Sequence, residues 1–318
     1  MRRVTPLQTA RYVESDLHEH HPPRLHSEHK RAVYELALAV RPPSNIAIEA
    51  VRWAPAGVPE RFAAGASDNL TFEVVPGVFD YRGSTASDVH WYVNFADPQL
   101  FVAYGTGLFA QDELQAAEHP ALGCLREALI FDGYSTLAED DDGRPTPFTI
   151  TDVPRRVAID TSTGLYGNAF SQARLEKVRE AVRPVNPEMQ SNILAIAAPR
   201  PGRGRYDEQE ISAAMLAAYT GYAAGRAHLP ASRTTVHTGF WGCGAFGGNR
   251  TLMTIIQAAA AEAAGVHVEF HAFDDEGVAE AEDAYSQYRR LREAADTPVD
   301  LITAVDRLGF QWGASDGN

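Results

Sequence analysis

Two short segments of this chain carry residue types that can do chemistry. The first is Thr238-Gly-Phe-Trp-Gly-Cys-Gly-Ala-Phe-Gly-Gly248, with glycines at 239, 242, 244, 247 and 248. It follows a β-branched stretch, Thr234 to Thr238, and opens an Ala-rich helical pattern, Arg250 to Ala264. Glycine tolerates positive φ and lets backbone approach a ligand closely. A helix start adds unpaired N–H groups and the positive end of the helix dipole. Together they make an anion or diphosphate cradle that needs no lysine. The segment lacks the Gly-Lys-Ser/Thr ending of a P-loop, and Gly242-x-Gly244-x-x-Gly247 matches the dinucleotide fingerprint only in letters. A tight turn packed around Trp241 and Phe246 is the alternative reading.

The second segment is Gln111-Asp112-Glu113. Two close carboxylates repel, so one can hold its proton near neutrality and act as an acid. Acidic residues also suit a helix start through the dipole. On residue types alone the helix-start reading leads. Cys243, inside the glycine turn, has no His or Asp placed by any motif to activate it, and reads as a small buried residue.

The turn closely resembles that of poly(ADP-ribose) glycohydrolases, whose members typically read TGNWGCGAFGGD. Here Phe240 stands for the Asn and Asn249 for the final Asp. The family's strand of the RVAID type also resembles Arg156 to Asp160. A family segment of the form V-D-F-A-N, three glycines, then Gln-Glu-Glu lies without gaps on Val93 to Asp97, Phe101 to Ala103 and Gln111 to Glu113. The resemblance implies a macrodomain-like α/β fold, a mixed sheet flanked by helices. It also implies hydrolysis at the anomeric carbon of an ADP-ribosyl group. Glu113 is then the general acid/base on an oxocarbenium-like transition state, with Asp112 holding the ribose hydroxyls. Asn94, Asp97 and Gln111 lie in the ligand-binding segment. Gly242, Cys243, Gly244, Ala245, Phe246 and Gly247 cradle the diphosphate, and Phe273 packs on the nucleotide. Tyr166 or Phe170 is a candidate for adenine stacking.

The departures have consequences. Phe101, Val102 and Ala103 replace the three glycines and are expected to fill space beside the diphosphate and distal ribose. Gly105 and Gly107 are expected to restore part of the turn. The phosphate and adenine half is expected to be kept and the distal-ribose half altered, so polymer cleavage is the least expected activity. Two other functions fit that alteration: an enzyme for a small NAD-derived metabolite in a biosynthetic pathway, and an ADP-ribose-binding module without turnover.

Composition bounds these readings. The 318 residues are 45% hydrophobic and 22% charged, which fits one large globular unit or two small ones. The net charge of −14 argues against nucleic acid as a partner. It does not exclude a small nucleotide held by backbone N–H groups. The two cysteines, Cys124 and Cys243, point to a reducing cytoplasm. No secretory leader or membrane-spanning run is expected. Five histidines between His18 and His29 read as solvated loop, no metal-ligand spacing stands out, and no cofactor is expected. Nothing in the residues addresses oligomeric state.

The positioning elements follow from periodicity. Helices are expected over 29–40, 111–118, 122–130, 207–222, 250–264 and 278–293. Strands are expected over 71–75, 89–95, 156–160, 192–199, 234–238 and 266–273. Their alternation in the second half predicts an α/β sheet covered on both faces. Residues 1–68 are assigned to a partly helical N-terminal extension, and 69–318 to the macrodomain-like ADP-ribose glycohydrolase domain.

Overall fold

The computed structural model describes residues 4–63 and 70–317. An eight-stranded mixed sheet runs in the order β1-β2-β5-β6-β4-β7-β8-β3. Its strands are β1 (Pro6–Val13), β2 (Ala47–Trp53), β3 (Phe72–Val75), β4 (Asp88–Ala96), β5 (Phe148–Ile159), β6 (Val182–Ala197), β7 (Arg233–Gly239) and β8 (His267–His271). Strands β6, β4, β7, β8 and β3 are parallel neighbours, and β5, β2 and β1 extend the sheet antiparallel. Helices α1 (Glu14–His20), α2 (Glu28–Val40), α3 (Gln111–Glu118), α4 (Ala121–Phe131), α5 (Asn168–Gln172), α6 (Leu175–Ala181), α7 (Glu208–His228), α8 (Arg250–Ala264), α9 (Asp275–Glu293) and α10 (Pro298–Asp306) surround it.

Strand β4 shows why both faces are covered. Trp91 and Val93 point into a core shared with α7 and α8. Tyr92 and Ala96 point into a second core shared with α4. Successive side chains face opposite ways, and a central strand with both faces apolar must be roofed twice. The expected α/β sheet with helices on both faces is therefore present. Helix α7 starts where Asp207 accepts the Glu210 N–H at 2.8 Å and Glu210 reciprocates. Helix α8 starts at Asn249, which accepts the Leu252 N–H at 3.0 Å, and ends at Gly265 in the left-handed region.

The first 68 residues, expected as a partly helical extension, contribute more than helix. Strands β1 and β2 join the sheet through β5. The histidine-rich stretch includes α1, where a solvated loop was expected. Glu14 and Arg156 of β5 form a buried ion pair, Nη2 to Oε1 2.5 Å. The proposed division at 68/69 falls outside the described residues.

Candidate active site

A cavity of about 850 Å³ opens beyond the carboxyl ends of β4, β7 and β8. Ligands of open α/β sheets bind at this end of the strands, where the connecting loops diverge. Most of the residues singled out from sequence meet there. Asp97, Gln111, Asp112, Glu113, Gly242, Cys243, Gly244, Ala245, Phe246 and Phe273 all line it.

The acid wall is the first turn of α3. Asp112 and Glu113 are 6% and 3% exposed, so both carboxyls sit largely out of bulk water. Glu113 Oε2 accepts the Ala110 N–H at 2.8 Å, which ties it to the helix start. Asp112 Oδ1 accepts from Asn94 Nδ2 at 3.0 Å. Burial, then the neighbouring Glu113 charge, pushes the Asp112 carboxyl up to about 8. The pair sits in the first turn of α3, as the helix-start reading expects, and its Asp112 carboxyl is raised toward neutrality. Behind it, buried Lys30 of α2 donates to the Ala103 carbonyl at 3.2 Å. Burial brings the Lys30 ammonium down to about 8, while Glu113 and Asp112 oppose that fall.

Two side chains expected to bind ligand are engaged within the fold. Asn94 is fully buried and orients Asp112 without lining the cavity. Gln111 lines it, but its amide is occupied: Oε1 accepts from the Phe95 N–H at 2.8 Å and Nε2 donates to the Val93 carbonyl at 3.0 Å. That clasp fastens the start of α3 to the end of β4. Asp97 Oδ1 accepts the Gln99 N–H at 2.8 Å.

The loop without glycines differs from expectation. Phe101 takes a left-handed φ of 51° and is wholly buried in the core, away from the cavity. The reason is that a large apolar ring gains more from the core than from a wet pocket. Val102 and Ala103 are the members of the triplet that line the cavity. Gly105 does not rebuild a ligand turn. A Cβ there would meet the Arg24 carbonyl oxygen at 2.1 Å, so the position lets residues 24–27 pack closely. Its carbonyl accepts the His26 and Ser27 N–H groups at 2.8 and 3.0 Å.

The glycine wall is built from backbone. Gly242 has a φ of +74°, open to glycine at little cost. The Cys243, Gly247 and Gly248 N–H groups close the turn on the Phe240, Gly244 and Gly242 carbonyls at 3.1, 2.9 and 2.9 Å. Trp241 is buried and donates to the Ile196 carbonyl at 3.2 Å, so the turn is packed on its Trp241 side. Phe246 is only half-buried and faces the cavity. Gly247 does not line it, since its carbonyl accepts the Gly313 N–H at 2.8 Å. Burial pushes the Cys243 thiol up, which makes it a poor nucleophile.

Phe273 stands 58% exposed at the rim with a left-handed φ of 70°. Strained backbone of this kind collects at functional sites. It meets Tyr166 edge-on at 6.0 Å. Tyr166 lines the cavity, whereas Phe170 stacks on Phe109 in the interior at 3.7 Å and is removed as a stacking candidate.

Sequence reading missed several lining groups. Arg250, the first residue of α8, lies over the Phe240 ring at 4.6 Å and pairs with Glu280 at 3.3 Å. Its place directly after the turn was the available signal. Asp316 also lines the cavity, near enough to Gly244 that a Cβ there would meet its Oδ2 at 3.1 Å. Nothing local in the chain announces that approach.

Residues 160–280 match the family model described as Poly (ADP-ribose) glycohydrolase (PARG), Macro domain fold. The match takes in the glycine turn and Phe273 and bears out the resemblance over that stretch. The acid pair lies outside it, and shares the cavity through the fold. Solved structures with similar backbones include two poly(ADP-ribose) glycohydrolases. That from Thermomonospora curvata has TM-score 0.49 and 17% identity over 88% of this chain and 85% of that one. That from Deinococcus radiodurans, in complex with ADP-ribose, has TM-score 0.45 and 14% identity over 88% of this chain and 94% of that one. No curated protein sequence matches.

Proposed function

We propose that this chain, whose residues 160–280 match the poly(ADP-ribose) glycohydrolase model, is an ADP-ribosyl glycohydrolase. It would cleave the glycosidic bond at the anomeric carbon of an ADP-ribosyl group. The observation that carries the reading is the dehydrated Asp112–Glu113 pair facing the glycine turn across one cavity.

Hydrolysis needs a proton for the leaving oxygen and a base for the incoming water. The pair starts and ends the cycle with one proton between its members, which act as a unit. Glu113 is the member proposed to exchange protons with substrate and water. The pair's one proton passes to the leaving oxygen through Glu113 and is restored from the attacking water, while Asp112 holds the ribose hydroxyls. Backbone at Gly242 to Phe246 receives the diphosphate, with the Arg250 guanidinium beside it. Phe273 and Tyr166 flank the nucleotide base. Val102 in place of glycine narrows the far side, which favours a single ADP-ribosyl group over a polymer.

Residues 1–68 are assigned as an extension that buttresses the 69–318 domain through Lys30 and Glu14. The ligand is an NAD-derived nucleotide, not a nucleic acid. Among the described residues no helix is long and apolar enough to cross a membrane. The free cysteines fit the reducing cytoplasm as the compartment.

The test is release of ADP-ribose from ADP-ribosylated protein. Glu113→Gln is expected to lower the rate by about 10²- to 10⁴-fold, with ADP-ribose binding by calorimetry unchanged. Binding without release by the unmodified chain would make it a reader. Full activity in Glu113→Gln would remove that residue from the mechanism.

A further inference from the structure

Beside the cavity, three side chains from two adjacent parallel strands aim donor atoms at one point. His237 lies on β7, and Glu269 and His271 lie on β8, with His237 in register with Glu269. His237 Nδ1 is 3.2 Å from His271 Nε2 and 3.6 Å from Glu269 Oε1. His271 Nε2 is 3.4 Å from the same Glu269 oxygen. Asp80, from the loop before β4, brings a fourth oxygen within 4.8 Å of all of them.

The hydrogen bonds around the triangle decide which nitrogens are bare. His271 Nδ1 lies 3.0 Å from the Val78 carbonyl, which can only accept, so that nitrogen carries the proton and Nε2 does not. His90 Nδ1 lies 2.9 Å from His237 Nε2, while His90 Nε2 faces Asp88. With the His90 proton on Nε2, His237 donates to His90 from Nε2 and its Nδ1 is bare. Two lone pairs and a carboxylate oxygen thus converge in a buried place. Arg82 already donates to the Glu269 carboxylate, and a cation at the centre would be shared by all three atoms.

The spacing selects the cation. Zinc holds His nitrogen and carboxylate oxygen at about 2.0–2.2 Å in a tetrahedron, whose edges are then about 3.3–3.6 Å. Two of the observed separations, 3.4 and 3.6 Å, fall in this range, and the third, 3.2 Å, lies just below it. Outer hydrogen bonds from His271 to a backbone carbonyl and from His237 to a second side chain are what orient metal-binding imidazoles. We infer that His237, Glu269 and His271 form a binding site for one zinc-like divalent transition-metal ion, with Asp80 or solvent at the fourth position.

Arg82 donates to both Glu269 oxygens and is the competing cation. Its side chain is 46% exposed and can retire to the outer oxygen. The ion would tie β7 and β8 to the 77–82 loop, which supplies Gly77, Val78, Phe79 and Tyr81 to the cavity wall. The inference stands apart from the glycohydrolase reading, because it needs only metal counting.

The full chain, stripped with chelator and returned to ZnCl2 or CoCl2, tests it. One equivalent of zinc is expected to survive gel filtration, and cobalt is expected to give the intense visible bands of a four-coordinate site. His90→Gln should weaken binding about 10- to 100-fold, and His237→Gln or His271→Gln should abolish stoichiometric retention. His20→Gln, in the other histidine-rich segment, should change nothing. Absence of the cobalt spectrum in the unsubstituted chain overturns the inference, whatever the variants' folding. So does uptake that is unchanged in a folded His237→Gln or His271→Gln chain, or that disappears in His20→Gln.

Discussion

The two walls of the cavity are made by opposite means. The glycine wall is local: eleven consecutive residues fold on their own carbonyls and present backbone to the cavity. The acid wall is assembled from distant parts. Its carboxylates sit on α3, their orienting amide on β4, and a buried ammonium comes from α2. Backbone recognition survives changes in most side chains, whereas a dehydrated carboxyl pair responds to every charge around it. The walls should therefore fail differently.

The largest expected effect on the acid side is at its foundation. Glu14→Ala leaves Arg156 without its close partner in the interior, and loss of one member of a buried pair costs about 3–5 kcal/mol. Chemical denaturation should show that loss. An equally stable Glu14→Ala chain would mean that the N-terminal strands and helices do not brace this wall.

Gly242→Val strikes the other wall. A β-branched residue at φ +74° is strained by about 1–3 kcal/mol, and its Cβ would come to 3.3 Å from the Ala198 Cβ. Calorimetry should show weakened ADP-ribose binding, with turnover of bound substrate retained. Loss of turnover at saturating substrate with unchanged affinity would break the proposed division of labour.

Asp112 sharpens the comparison through pH. Its folded-state pKa, raised to about 8, exceeds the unfolded carboxyl value near 4. Between those values the folded chain binds the extra proton, so its stability falls as pH rises through that window. Asp112→Asn should flatten the corresponding part of a denaturation profile taken from pH 4 to 8. An unchanged slope would place the proton elsewhere. The smallest effect belongs to Asp316, an exposed carboxylate near the anion cradle. Asp316→Asn should tighten ADP-ribose binding by a few-fold at low salt, with the gain fading as salt screens the charge.

Legibility in the sequence followed locality. Six of the ten described α-helices and the central strands stood out because their apolar periods are set by neighbours a few residues apart, and the glycine turn because five glycines lie in eleven residues. Strands β1 and β2 did not stand out. PLQTARYV and AIEAVRW mix charged and apolar residues near one end of the sheet, where burial is partial. Phe101 was misplaced because a substitution for glycine shows that a side chain is added, not which way it turns. Arg250 was missed although it sits beside the turn.

The sequence by itself determined the α/β class, the glycine-rich turn between a strand and a helix, and the presence of adjacent carboxylates, since each is a property of a short segment. Only the tertiary structure decided that the Asp112 carboxyl is pushed up, because desolvation depends on what surrounds a group. It alone decided that Asn94 and Gln111 serve α3 more than the ligand. And it alone gathered His237, Glu269 and His271 beside the cavity, because β7 and β8 bring together residues separated by a whole helix in the chain.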